Sequence, residues 1–145
     1  AATIPVTLRT VNQDLGVNQN VASFVVPVGA TINMDGTAIM QGLATVFIAQ
    51  MSGIDLTLFQ YIQVVLLAVA TSIGTAAVPS AGTITLIIIL QQFNLPLEAI
   101  GIILAVDRVL DMIRTSVNVT GDAAIACIVA KTENQLDENI FNSKA

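Results

Sequence analysis

Apolar segments broken by short polar turns constrain this chain more than any other feature. The first apolar run, residues 21–32, stops at the polar segment 33–37 and resumes as far as Met51. A transmembrane helix needs about 20 consecutive apolar residues. Irregular backbone at membrane depth is tolerated only where it lines a cavity buried in protein. The pattern therefore predicts an interrupted helix whose break faces a polar cavity.

The composition favours a membrane environment. Hydrophobic residues make up 54% of the 145 residues, charged residues 10%, and the mean hydropathy is +0.82. Soluble domains carry about 25% charged residues. Five scattered basic residues and a net charge of −5 argue against a nucleic-acid partner. The chain has no histidine, which excludes a histidine-based general base or metal site, and its one cysteine, Cys127, fits a small packed residue.

A second polar interruption lies between two further apolar arms. Residues 61–70 and 84–90 flank the small, polar stretch 71–83, and each arm has about half the length of a spanning helix. We therefore predict a re-entrant helical hairpin. The last long segment, residues 99–130, carries another polar stretch at 118–122, where we predict a break in the helix.

Paired interrupted helices around a hairpin are typical of transporters built from inverted repeats. The expected fold class is therefore an all-α membrane protein with discontinuous transmembrane helices and a re-entrant helical hairpin. The polar stretch that begins at Lys131 is expected to form a solvated, frayed terminus.

The last helix carries a polar stripe. At 100° per residue, six polar side chains fall within a sector about 100° wide. Charges inside a bilayer cost several kcal/mol unless they are paired or hydrated. The stripe has three acids and one arginine, so a cavity for a cation and a zwitterionic or anionic solute is favoured over a self-contained salt-bridge ladder. The six residues are Asp107, Asp111, Arg114, Thr115, Asn118 and Asp122.

The residue types in the stripe indicate the ligands. The planar guanidinium of Arg114 matches a carboxylate bidentately, and Asp111 can accept hydrogen bonds from an ammonium group. Together they suit an amino acid. Sodium prefers oxygen ligands, and the polar stretches 33–37 and 118–122 each offer an Asn, an Asp and backbone carbonyls freed where the helix is expected to unwind. The small residues of the hairpin tip would allow it to move as a lid.

Three segments resemble signature segments of the glutamate/aspartate:cation symporter family. They are residues 29–37 (GATINMDGT), 72–82 (SIGTAAVPSAG) and 107–122 (DRVLDMIRTSVNVTGD), and their order and spacing also match. The resemblance implies a homotrimer in the plasma (cell inner) membrane, with several membrane passes and a mobile transport domain that moves like an elevator. Six further helices and a serine-rich hairpin tip would belong to the full-length protein.

The resemblance assigns residues 1–145 to the C-terminal part of the transport domain. The expected parts are a second arm of the first hairpin with a linker (1–19), an interrupted seventh helix (20–53), a second re-entrant hairpin (58–94), an interrupted eighth helix (96–131) and a polar tail (132–145).

The resemblance also implies a substrate site for an acidic amino acid. Arg114 would bind the substrate's side-chain carboxylate with help from Thr37, and Asp111 would bind its amino group. The remaining expected contacts are Thr115 and Asn118 at the amino acid end, and Val78, Ala81 and Gly82 in the lid.

Sodium ions are the coupling ions that the resemblance implies, with no other cofactor. The first ion would lie among backbone groups of Gly29, Asn33 and Asn118 and the side chain of Asp122. The second would use Thr31, Met34 and the hairpin residues Ser72, Ile73 and Thr75. Asn33 and Asp35 would contribute to a third, whose other ligands lie in further helices.

Two departures from the family bear on the stiffness of the lid and on coupling. Ala77 stands where relatives often have glycine, and Gln41 stands where animal members that exchange potassium carry a glutamate. The glutamine favours sodium coupling without potassium exchange, while proton-coupled glutamate symport stays open.

Other function classes fit the residues less well. A C4-dicarboxylate lacks an ammonium group for Asp111, and a neutral amino acid lacks a second carboxylate for Arg114. A channel or structural subunit does not need the broken helices and lid, and a membrane enzyme would need a nucleophile–base pair that we do not find.

Overall fold

A computed structural model describes residues 2–73 and 81–143, and these residues form helices joined by short connections. The all-α part of the predicted fold class is confirmed for them. The helices are α1 Ile4–Arg9, continued by a π-helical turn Thr10–Asp14, α2 Gln19–Ile32, α3 Asp35–Met51, α4 Leu58–Ser72, α5 Ala81–Gln92, α6 Ile100–Thr132 and α7 Glu138–Asn142, with a 3₁₀ turn Leu97–Ala99 before α6. In the described ranges, no single helix combines the length and the apolar character that crossing a bilayer requires.

A two-residue break separates α2 from α3. Asn33 (φ −97°, ψ 76°) and Met34 (φ −111°, ψ 43°) leave the helical region, and Asp35 opens α3 with a carboxylate in its first turn. A negative charge is favourable at a helix N-terminus. The break leaves carbonyls at the end of α2 and N–H groups at the start of α3 without helical partners. It lies within the polar segment 33–37.

Helices α4 and α5 pack against each other and against α3. A capping box fixes the start of α4, because the Thr57 hydroxyl accepts from the backbone N–H of Gln60 while the Gln60 side chain accepts from that of Thr57. The segment 74–80 that joins the two helices lies outside the described residues. It includes Thr75, Ala77 and Val78, and the side chain of Ala81 lies outside the described part as well.

Two apolar clusters lie on either side of the helix break. One joins α3, α5 and the start of α6 through Ile48, Leu86 and Ile103. The other joins α2 to the end of α6 through Val26 and Ala126, with Val17 and Val11 beside them. The middle of α6 therefore lies between the two apolar clusters and faces the break.

Helix α6 is continuous, so the interruption predicted at residues 118–122 is wrong. The helix runs without a break from Ile100 to Thr132. Asn118 and Asp122 hydrogen-bond to the α2–α3 region rather than turning back on their own backbone. Gly121 allows close approach, since a Cβ there would lie 2.6 Å from Asn33 Nδ2. One glycine costs a helix about 1 kcal/mol, which tertiary packing offsets here.

The tail after α6 is ordered, which corrects the prediction of a frayed terminus. Val17 and Leu136 form an isolated antiparallel bridge, and the amide of Asn18 donates to the carbonyl of Gln135 at 3.0 Å. Helix α7 is capped by Asp137 and contains no buried residue, so this part of the tail is solvated but structured.

Gly16 is the point where the tail meets the linker before α2. Its φ is +71°, its carbonyl accepts from the amide of Asp137 at 2.8 Å, and a Cβ would lie 2.6 Å from the Asp137 carbonyl oxygen. We expect Gly16→Ala to destabilise this contact by about 1–3 kcal/mol, because strain and collision add. Amide hydrogen exchange in the full-length protein should show faster exchange at Asp137 and Asn18.

Gly53 provides the matched control for this substitution. Its φ is +68°, but nothing lies within 4 Å of a Cβ placed there. Gly53→Ala therefore introduces the backbone strain without the collision and should leave exchange in the tail unchanged. Unchanged tail exchange in Gly16→Ala would show that the tail does not depend on the contact at Gly16.

Candidate functional site

The polar stripe of α6 lies on the protected side of the helix. Arg114 and Asp122 are buried, with 7% and 3% of their surface exposed. Asp107, Asp111, Thr115 and Asn118 are partly buried, whereas Arg108 on another face is exposed. Helix α6 packs on both α2 and α3. The stripe therefore faces the broken helix.

A buried carboxylate lies against the break. The Asn33 side-chain amide donates to Asp122 Oδ1 at 2.9 Å, and a Cβ on Gly29 would overlap the Asp122 carboxylate. No basic side chain of the described residues forms an ion pair with Asp122. Buried charges need compensation by hydrogen bonds, opposite charge or a bound ion. The structure thus brings Gly29, Asn33 and Asp122 together, and their chemistry suits a small cation.

Asn118 connects the middle of α6 to the start of α3. Its Oδ1 accepts from the backbone N–H of Gly36 at 2.8 Å, and its Nδ2 donates to Thr37 Oγ1 at 3.3 Å. The same nitrogen lies 3.3 Å from the sulfur of Met34. One of the N–H groups exposed by the break is therefore satisfied across the helix interface. Asn118, Met34 and Thr37 meet as one group.

Arg114 holds a second charged group in the same face. Its guanidinium forms an ion pair with Asp111 one turn earlier, and the Asp111 side chain is 44% exposed. A Cβ on Gly82, at the start of α5, would lie 2.6 Å from Arg114 Nη1 and 3.8 Å from a methyl group of Thr37. The guanidinium therefore lies next to the start of α5. Asp111 occupies one side of it with a carboxylate, the chemical group that a substrate would present.

Several residues of the predicted sites take no part in the contacts around Asp122, Asn118 and Arg114. Thr31 is exposed and donates its hydroxyl to Pro27 O at 3.4 Å within α2, and Asp35 and Ile73 are exposed. The hydroxyl of buried Ser72 donates to Val69 O at 2.9 Å within α4. Thr75 and Val78 lie outside the described residues.

The sequence singled out Gln41 only for its bearing on coupling, and the structure shows it as a buried polar group next to this site. Gln41 is 0% exposed, and its side-chain amide bonds to Thr71 of α4 and Thr85 of α5. The signal was present as a single glutamine within the apolar run that forms α3. Its partners could not be found without knowing which helices pack on that face.

Broken helices are typical of the substrate and ion sites of secondary transporters. Here the break faces α6, which carries both a buried carboxylate, Asp122, and a buried arginine, Arg114. The chain belongs to the sodium:dicarboxylate symporter family, whose family model matches residues 1–132. The resemblance read from the sequence is thereby confirmed at the level of the family. This family consists of membrane transporters, not enzymes.

The relatives carry names of amino acid transporters. An excitatory amino acid transporter of Caenorhabditis elegans is 50% identical over 129 residues, which cover 89% of this chain and 26% of the relative. Excitatory amino acid transporter 2 of Homo sapiens is 50% identical over 89% of this chain and 22% of its own length. Excitatory amino acid transporter 3 of Mus musculus is 49% identical over 99% of this chain and 28% of its own length. The chain thus spans about a quarter of the curated relatives it matches.

Proposed function

We propose that these residues belong to a sodium-coupled symporter of acidic amino acids, aspartate and glutamate, and supply most of its substrate and cation sites. The observation that carries the proposal is the buried Arg114 paired with Asp111, facing a helix that is broken beside Asp122. The names of the relatives, which are excitatory amino acid transporters, support the same substrate class.

The substrate class rests on two charges one turn apart. A guanidinium with two nitrogens directed at one carboxylate recognises that group by shape as well as charge. When the substrate's side-chain carboxylate takes the place of Asp111 on Arg114, Asp111 is released to accept hydrogen bonds from the substrate's ammonium group. A solute that carries both groups satisfies both residues, which favours acidic amino acids over C4-dicarboxylates and neutral amino acids.

The cation site rests on the break between α2 and α3. Asp122 supplies a buried formal charge, and the end of α2 supplies backbone carbonyls next to Asn33. Sodium is bound by such oxygen ligands. Asp35, Thr31, Met34 and the hairpin residues Ser72, Ile73 and Thr75 remain proposed ligands of further ions.

The membrane arrangement is also part of the proposal. Helices α4 and α5 would form the arms of a re-entrant hairpin that closes over the substrate, with Val78, Ala81 and Gly82 in the lid. Large apolar side chains such as Phe59, Ile62 and Leu66 are exposed on α4, as expected for contact with lipid or with other parts of the protein. The full-length protein would be a homotrimer of the plasma membrane that works by elevator motion.

Uptake into vesicles tests this function. The full-length protein, reconstituted into liposomes, should accumulate labelled aspartate when sodium is high outside. Replacing external sodium with choline should abolish accumulation, and serine and succinate should compete weakly. Uptake driven by a pH gradient without sodium would instead support proton-coupled glutamate symport, and preferred uptake of succinate would support a dicarboxylate carrier.

Asp111→Asn separates recognition of the ammonium group from recognition of the carboxylate. We expect the affinity for aspartate to fall by about 1–3 kcal/mol, a factor of about 5 to 150, because a charged hydrogen-bond acceptor is lost. Succinate should compete at least as well as before, since Arg114 loses its internal competitor. Competition against labelled aspartate uptake measures both effects.

Asp55→Asn is the control, because Asp55 is exposed in the connection between α3 and α4. This control should change neither the affinity for aspartate nor the affinity for succinate. An equal loss of aspartate and succinate binding in Asp111→Asn would contradict the assignment, because it would mean that Asp111 acts on Arg114 and not on the ammonium group.

A further inference from the structure

One buried amide connects α3 to both arms of the helical pair. The hydroxyl of Thr71 on α4 lies 3.2 Å from Gln41 Oε1 and shares its one hydrogen between that oxygen and the Leu67 carbonyl, 2.8 Å away within α4. Gln41 Nε2 donates to the hydroxyl of Thr85 on α5. Gln41 itself is fully buried in the middle of α3. The side-chain oxygen of Gln41 therefore contacts α4, and its side-chain nitrogen contacts α5.

The hydrogen bonds continue from Gln41 to the edge of the substrate site. Thr85 donates its hydroxyl to the carbonyl of Gly82 at 3.0 Å, in the first turn of α5. Gly82 in turn lies against Arg114, as the 2.6 Å separation between its added Cβ and Nη1 shows. The path from Gln41 through Thr85 thus ends at the backbone beside the guanidinium.

The burial of Gln41 makes this connection sensitive to the position of α5. An amide that is removed from water and loses its partners is strongly disfavoured, whereas the same amide with both partners is stable. Movement of α5 away from α3 would leave Nε2 without Thr85, and separation of α4 would leave Oε1 without Thr71. An apolar residue of the same length would fill the space without this dependence.

We propose that Gln41 is a positioning residue that holds the start of α5 against α3 and α4, and so fixes Gly82 beside Arg114. Gln41 does not itself reach the substrate, since its amide is engaged by Thr71 and Thr85. Its effect on transport is indirect, through the position of the backbone that adjoins the carboxylate-binding arginine. The consequence for uptake rests on the function proposed above, whereas the consequence for the two helices does not.

The test uses apolar variants of similar shape in the full-length protein. Gln41→Met removes the amide, and Thr85→Val removes the hydroxyl that joins it to Gly82. Each should raise the KM for aspartate about tenfold while kcat changes less than twofold, because one hydrogen bond is typically equivalent to such a factor. The double variant should be no worse than either single variant, since both interrupt the same path.

Thr45→Val is the matched control. Thr45 is also fully buried, one turn after Gln41, but its hydroxyl donates to the Gln41 backbone carbonyl at 2.8 Å within α3. It should leave the KM for aspartate unchanged even if it lowers the melting temperature. A KM shift as large in Thr45→Val as in Gln41→Met would overturn the proposal, because any loss of a buried polar group would then have the same effect.

A distance measurement tests the proposal without transport. Spin labels at the exposed positions Val69 on α4 and Ile84 on α5 report the separation of the two helices. The distribution should broaden in Gln41→Met and in Thr85→Val and stay narrow in Thr45→Val. An unchanged distribution in both variants would overturn the role of Gln41. Failure of sodium-driven aspartate uptake in the wild type, together with the broadening, would overturn only the proposed function.

Discussion

Replacing Arg114 with alanine in the full-length protein is expected to abolish uptake of aspartate and glutamate. The guanidinium is 7% exposed and lies next to the start of α5, so a substrate carboxylate bound there would be removed from water. Without the arginine that carboxylate is buried and unpaired, a loss of about 2–5 kcal/mol in binding. Affinity should therefore fall by a factor of about thirty to several thousand. Serine and other neutral amino acids should begin to compete, because they bring no second carboxylate.

Arg108→Ala provides the control on the same helix. Arg108 is exposed and lies outside the polar stripe, so its loss should leave the aspartate affinity unchanged. Arg114→Lys adds a second comparison, since lysine keeps the charge but lacks the planar pair of donors. Lysine should restore part of the binding at most. Unaltered aspartate affinity in Arg114→Ala would remove Arg114 from the substrate site.

The polar stripe of α6 could be predicted because helical periodicity does not depend on the partners of the helix. Residues spaced by three and four share one face of any α-helix. The structure places Arg114 and Asp122 on the buried side and Arg108 on the exposed side, as the spacing requires. Burial of a charged face in an otherwise apolar chain then restricts the possible functions to those that handle polar ligands.

The break in α6 was predicted wrongly because turn-forming residues can occur in a chain for two reasons: they can form a turn, or they can make contacts to another helix. Asn, Gly and Asp close together favour a turn when their side chains bond to their own backbone. In this structure Asn118 bonds to Gly36 and Asp122 accepts from Asn33, so both side chains are used across the interface. The same residue types therefore mark a contact surface in α6 and a true break at Asn33.

The Gln41 connection and the ordered tail depend on contacts distant in the sequence. Gln41 and Thr85 are separated by 44 positions, and the bridge joins Val17 to Leu136. Propensity and periodicity carry no information about such pairs in a single sequence. They become predictable only when the packing of α3 against α4 and α5, and of the linker on the tail, is known.

Asp122→Asn is expected to raise the sodium concentration needed for half-maximal uptake about tenfold or more. Asparagine keeps the shape of the side chain, and its oxygen can still accept the bond that Asn33 donates at 2.9 Å. The substitution removes the formal negative charge of a side chain that is 3% exposed. A buried charge attracts a cation more strongly than an exposed one, because water screens it less. The sodium titration of uptake by the reconstituted full-length protein measures the shift.

The same variant should also weaken aspartate binding, although Asp122 does not touch the substrate. Coupling between two ligands is reciprocal, and typical coupling energies of about 1–3 kcal/mol correspond to factors of about 5 to 150. At a fixed, limiting sodium concentration the apparent aspartate affinity should therefore fall, and saturating sodium should largely restore it. Asp55→Asn, in the exposed connection after α3, should show neither effect. A normal sodium titration in Asp122→Asn would exclude this carboxylate as a ligand, whereas weak aspartate binding that sodium cannot restore would indicate damage to the contact between α6 and the break at Asn33.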